Sequence, residues 1–210
     1  MTTGTIADPR RPPLLGPVLG LAVLVGAVAV LRQRREAQDV RAGRRTPTGP
    51  DGDVAPARPP GPLARRAAAW APAPPRTPLG RAAATCWAAP LTAVGFAVAL
   101  AGGGVPRRDD ARGCWVAHDV GGPSRSMLGA VGAAANTIGH VVIVRGATAS
   151  QALLDHEAAH VRQAERLGPL LPLVHAGFGA RYGYADNPLE RAARAGARRA
   201  AVVRRARAAG

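Results

Sequence analysis

Lysine is missing from this chain. All 28 basic residues are arginine, set against 13 acidic residues, for a formal charge of +15. Aromatic side chains make up only 3% of the 210 residues. A nucleic-acid-binding surface adds aromatics or a recognisable module to its basic residues. Neither occurs here, so nucleic acid is not expected as a partner. The abundance of Ala, Arg, Gly and Pro instead matches a GC-rich coding bias, which discounts the charge as a functional signal. Arginines beside apolar runs suit anionic lipid headgroups. Cysteine is scarce too. Cys86 and Cys114 are the only two and no CxxC spacing exists, which argues against a thiolate zinc site and allows at most one disulfide.

Two long uncharged runs stand out against this background. Leu14 to Leu31 carries no charged side chain and is about the length that crosses a bilayer. Arg10 and Arg11 precede it, and Arg32, Arg34 and Arg35 follow it. A signal peptide is the rival reading, through the small-x-small site Ala27-Val28-Ala29. An uncleaved anchor is preferred because the run continues past that site to a basic cluster. Ala82 to Pro106 is the second run, lying between Arg81 and Arg107. Its length favours a membrane span over a buried helix.

Residues 36–81 between them read as a Pro/Arg-rich spacer, with a short helical patch at 63–70. Eleven arginines fall between positions 32 and 81. The positive-inside rule then places this spacer in the cytoplasm and the following domain outside the cytoplasmic membrane.

Residues 107–197 read as the chemical domain, followed by a basic tail at 198–210. Asn136 to Arg145 has a β-branched centre and reads as one strand. Thr148 with Gln151 fits a capping box, so a helix is expected from about Ala149 to the stop signal Gly168-Pro169. The apolar stretch 170–180 is broken by Pro172, Gly177 and Gly179. Asn187-Pro188 opens a last helix.

The middle helix carries His156-Glu157-Ala158-Ala159-His160. Positions i and i+4 share a helix face, so His156 and His160 can grip one zinc ion together. Glu157 lies beside the ion, placed to act as general base on a zinc-activated water. A third ligand is needed. Arg166 stands where a metzincin would have its third histidine, and Gln163 where that type wants glycine. Glu190, on the next helix, suits a ligand set of two histidines and a glutamate. Glu165 is rotated off this face and reads as a solvated partner of an arginine. His140 and His175 are substitute ligands or polar core histidines. Tyr182 and Tyr184 are candidate oxyanion stabilisers, and Asp155 and Asp186 candidate partners of a ligand imidazole. The strand His140, Val141, Val142 and Ile143 is the expected edge on which an extended peptide substrate pairs.

The segments TIGHVVIVR, HEAAHVRQAERLGPL and NPLERAA resemble those of a group of small bacterial membrane-associated proteins with a gluzincin-like zinc metallopeptidase core. The resemblance covers about residues 130–197. It implies His156, His160 and Glu190 as zinc ligands and Glu157 as general base. Ala164 departs from the pattern, where an aromatic residue is commoner. The expected architecture is therefore α+β and mainly helical, with one or two N-terminal transmembrane helices. A small zincin-like domain follows, with a short edge strand and an HExxH helix. The expected activity is membrane-anchored, zinc-dependent hydrolysis of peptide bonds. The alternatives are a non-catalytic membrane protein with a structural or vestigial metal site, and an ordinary helix face with no metal.

Overall fold

A computed structural model describes residues 15–45, 61–70 and 72–208. The part of the expected spacer at 46–60 lies outside the described residues. Helix α1 spans Leu15–Arg41, α2 Pro62–Ala69 and α3 Pro78–Ala101. Strands β1 (Arg107–Asp109) and β2 (Cys114–Ala117) follow, then α4 (Gly122–Val131), β3 (Ala135–Ile138) and β4 (Val141–Val144). Helix α5 is Gln151–Leu167, continued by a single 3-10 turn, Gly168–Leu170. Helices α6 (Leu171–Tyr182) and α7 (Pro188–Ala208) complete the order. The fold is a mostly helical α+β arrangement with one small sheet, in line with the expected class.

The sheet runs β1-β2-β4-β3, with β2 and β4 parallel and both outer pairs antiparallel. Strand β4, Val-Val-Ile-Val, is buried along its whole length because both of its faces are covered. Alternation sends Val142 and Val144 into a core with Cys114, Val116, Leu154 and Val161. Val141 and Ile143 enter the opposite core with Ala99, Ala117, Val120 and Leu128. Each such aliphatic side chain stabilises the fold by about 1.5–3 kcal/mol on burial. Helix α5 therefore backs one face of the sheet, and α3 with α4 the other.

Several expectations need correction. The single strand at 136–145 is a hairpin: Ile138 pairs with Val141, and the chain turns at Gly139-His140. Gly139 has φ +65°, and a Cβ there would run into Thr92 of α3. A β-branched run hides this turn because period-2 patterning is silent about one glycine. As a result Val141, Val142 and Ile143 lie on an interior strand with both edges paired, and they cannot accept a substrate strand. The sheet edge beside α5 is β3, where Asn136 is exposed. Helix α5 is capped by Ser150, whose hydroxyl accepts from the Leu153 N–H at 3.0 Å, and not by Thr148. Residues 171–182 form a helix after all, since Pro172 sits in its first turn, where no hydrogen bond is lost. The basic tail is the continuation of α7, with Arg204 paired to Asp155.

The two apolar helices are also more engaged than free spans. The second half of α1, through the basic cluster, docks on the domain. Glu36 accepts from the main-chain N–H groups of Tyr184 (3.2 Å) and Ala185 (3.0 Å), and Ala29 lies against Gly179 of α6. Among the described residues, α3 is the one helix long and apolar enough to cross a membrane. It buries a narrow stripe of small residues, Ala88, Gly95 and Ala99, the last two against the sheet, while Leu79, Val94 and Leu100 are exposed. Helix α2 falls in the expected spacer and packs on α7, with Ala64 buried.

Candidate metal centre

Two helices build the site. The Ser150 cap starts α5, and Gly168, at φ +52°, lets the chain leave it against the indole of Trp87. His156 and His160 then share the α5 face that packs on α7. Glu190 is in the first turn of α7. It is placed there by Asn187, whose Oδ1 accepts from the Leu189 N–H at 2.9 Å. His156, His160 and Glu190 are all buried, and one donor atom from each lies within 4.8 Å of the others. The Nε2 atoms of the two histidines are 3.2 Å apart. Glu190 Oε2 is 3.2 Å from His156 Nε2, and Oε1 is 3.4 Å from His160 Nε2. This group could hold a metal ion.

The donors fit such an ion. Glu190 Oε2 is buried and makes no well-directed hydrogen bond, its near neighbour being His156 Nε2 at 3.2 Å, and a carboxylate oxygen so placed favours a positive charge beside it. Burial pulls the His160 pKa down, but the neighbouring Glu190 carboxylate outweighs it and pushes the value up to about 9. Burial alone would push the Glu190 carboxyl up. The imidazoles of His160, His156 and His175 around it hold it well below the ordinary carboxylate range instead. The pull that favours a proton on His160 is the pull a metal cation would feel.

Glu157 is buried, and its Oε2 accepts from the Thr137 hydroxyl of β3 at 2.6 Å. The edge strand and the candidate base are thus in contact. His175 comes from α6 with Nε2 2.7 Å from Glu190 Oε1, and its side chain is 33% exposed at the rim of the group. His175 thus lies beside the group, whereas His140 lies in a separate buried cluster. There its Nε2 meets Glu165 at 3.3 Å and its Nδ1 meets Thr92 at 3.0 Å. Glu165 does pair with an arginine, Arg162, but it is buried and not solvated. Asp155 bonds Arg112 at 2.9 Å and Arg204, and Asp186 pairs with Arg191. Asp155 therefore ties helices together and bonds no ligand imidazole. Tyr182 packs on Phe178 with ring centroids 6.1 Å apart, and Tyr184 lies in the loop held by Glu36. From α6, the side chain that reaches Glu190 is His175. Both cysteines are free, and burial pushes the Cys114 thiol up to about 11, so it is inert at neutral pH.

One residue of the site escapes a reading of the sequence. Gln163, fully buried, bonds His160 Nδ1 through its Oε1 at 2.8 Å and donates from Nε2 to the Leu189 carbonyl at 3.1 Å. Its position three residues after His160, on the same face of α5, is the available signal.

Residues 89–168 match the family model described as the eCIS core domain. The matched span runs from within α3 to the end of α5. It includes His156, Glu157 and His160 and stops short of Glu190. No curated protein and no solved structure matches the chain.

Proposed function

We propose that this chain is a membrane-anchored, zinc-dependent peptidase of gluzincin-like type, with His156, His160 and Glu190 as zinc ligands and Glu157 as general base. The observation that carries the reading is the buried convergence of the three donors, with Glu190 Oε2 facing His156 Nε2 at 3.2 Å without a well-directed hydrogen bond. Two histidines and a glutamate form the ligand set of open catalytic zinc sites. Zinc bound there supplies Lewis acidity, which eases deprotonation of a water and polarises the scissile carbonyl.

The protein's own groups would do the rest. An extended peptide would add to the sheet along β3, in main-chain pairing that brings its scissile bond towards α5. Thr137 fixes one carboxylate oxygen of Glu157, leaving Oε1 to take the proton of the attacking water. The water oxygen bonds to the carbonyl carbon, the C–N bond breaks, and Glu157 hands its proton to the departing amine. His175, at the rim, and Tyr182 and Tyr184 are the candidates for stabilising the developing oxyanion. The uncharged run of α1 and the exposed apolar side of α3 would meet lipid, in a bacterial cytoplasmic membrane, with the peptidase domain extracytoplasmic.

The test is cleavage of a peptide library by the full chain in detergent, with and without zinc. Glu157→Gln should keep its zinc and lose activity by about 100- to 10,000-fold. Unchanged cleavage by that variant would remove Glu157 from the mechanism. A structural metal site is the second reading. It is favoured by the proximity of His175 to Glu190, since a third histidine, as fourth ligand, would close the coordination sphere. In that case neither protein cleaves any peptide, and both keep their zinc.

A further inference from the structure

His160 and Glu190 reach the same point from different helices, and a buried amide joins the two. A glutamine carbonyl oxygen can only accept, so the 2.8 Å contact from Gln163 Oε1 requires a proton on His160 Nδ1. The neutral imidazole then carries its lone pair on Nε2, the atom that faces His156 and Glu190. The other end of the same amide donates to the carbonyl of Leu189, the residue just before Glu190. Asn187 holds the Leu189 N–H and donates from Nδ2 to the His175 carbonyl at 3.3 Å. Both peptide groups of Leu189 are thus fixed by buried amide side chains, and Gln163 and Asn187 are each fully buried. The two side-chain hydrogen bonds of Gln163 thus go to one ligand and to the chain neighbour of another.

Resting on the reading of the triad as a metal centre, we propose that Gln163 is its positioning residue, selecting the metal-binding tautomer of His160 and setting the distance between α5 and Glu190. Outer hydrogen bonds of this kind typically change metal affinity by about 10–100-fold. A glutamine does this without adding charge, so the net charge of the ligand set stays at that of one carboxylate.

The experiment is a competition titration of the detergent-solubilised full chain with a chromophoric zinc chelator. Gln163→Met keeps the volume and removes both hydrogen bonds, and should weaken zinc binding by about 10–100-fold. Gln163→Glu keeps an acceptor for His160 but loses the donor to Leu189, and should fall between the wild type and Gln163→Met. A merely structural glutamine would lower the melting temperature of the metal-free protein and leave the zinc affinity of the folded fraction unchanged, which would overturn the proposal. If the wild type holds no zinc that His160→Ala removes, the metal reading itself fails and takes this inference with it. Should Gln163→Met not fold, NMR of the cadmium-loaded wild type decides. Coupling of cadmium to His160 Nε2, with a slowly exchanging proton on Nδ1, is expected. Coupling through Nδ1 would overturn the assignment.

Discussion

Helix α5 carries two buried histidine–glutamate clusters, and they are built in opposite ways. Towards its C-terminal end, Glu165 meets His140, Arg162 reaches the same carboxylate, and Thr92 takes the other nitrogen of the His140 ring and its main-chain N–H. That cluster has its own cation and closes on itself, joining α3, the β3–β4 turn and α5. One to two turns earlier, His156, His160 and Glu190 converge with no arginine among the donors, and one carboxylate oxygen makes no well-directed hydrogen bond. Similar residue types on one helix therefore give a finished structural knot in one place and a set of ligands in the other. What separates them is whether an arginine lies among the donors.

That contrast breaks most sharply at the two glutamates. Glu190→Gln should weaken zinc binding by more than about 100-fold, beyond the range of outer hydrogen-bonding residues, as read by chelator competition. Its effect on the unfolding of metal-free protein should be minor. Glu165→Gln should do the reverse. It breaks a buried ion pair and leaves Arg162 without its carboxylate, which costs about 3 kcal/mol in a urea unfolding curve, while zinc content stays at the wild-type level. If both substitutions remove zinc, the two clusters are one unit and the distinction falls.

The same pair differs in pH response. Burial pushes the Glu165 carboxyl up, but His140 and Arg162 outweigh it and hold its pKa below the ordinary value of 4.5. The native state therefore takes up this proton less readily than the unfolded chain does. The resulting stability is complete above about pH 4.5 and is lost as pH falls through the folded value. Unfolding free energies of the wild type and Glu165→Gln, measured down an acid series, should converge below pH 4.5. Parallel curves would show that the carboxylate is not the source. The smallest effect is expected at Thr92→Val, which removes the hydroxyl that His140 uses and should cost about 1 kcal/mol with no change in zinc binding.

Much of the candidate site is legible in the sequence. The i, i+4 spacing of His156 and His160 forces both onto one helix face, and the Asn-Pro pair opening the next helix places Glu190 in its first turn. What escapes are features that depend on where elements meet. A β-branched run reads the same whether or not a glycine folds it back, so it conceals the hairpin at Gly139 and the loss of β4 as an edge. Glu165 reads as solvated because its distance from the histidine face is a helical statement, whereas its burial comes from α3 and the β3–β4 turn. Gln163 carries no charge or nucleophile to draw notice, and its role emerges only when Leu189 lies beside it.

The sequence by itself determined the helical grip of His156 and His160, the neighbouring base Glu157 and the two uncharged runs, because each follows from local periodicity or length. Tertiary structure alone decided that Glu190 arrives at that grip and that Gln163 joins the two. It also decided that β3, held to Glu157 by Thr137, is the sheet edge beside α5. Those are distances between segments far apart in the chain, and they are set by which faces the core buries rather than by any local pattern of residues.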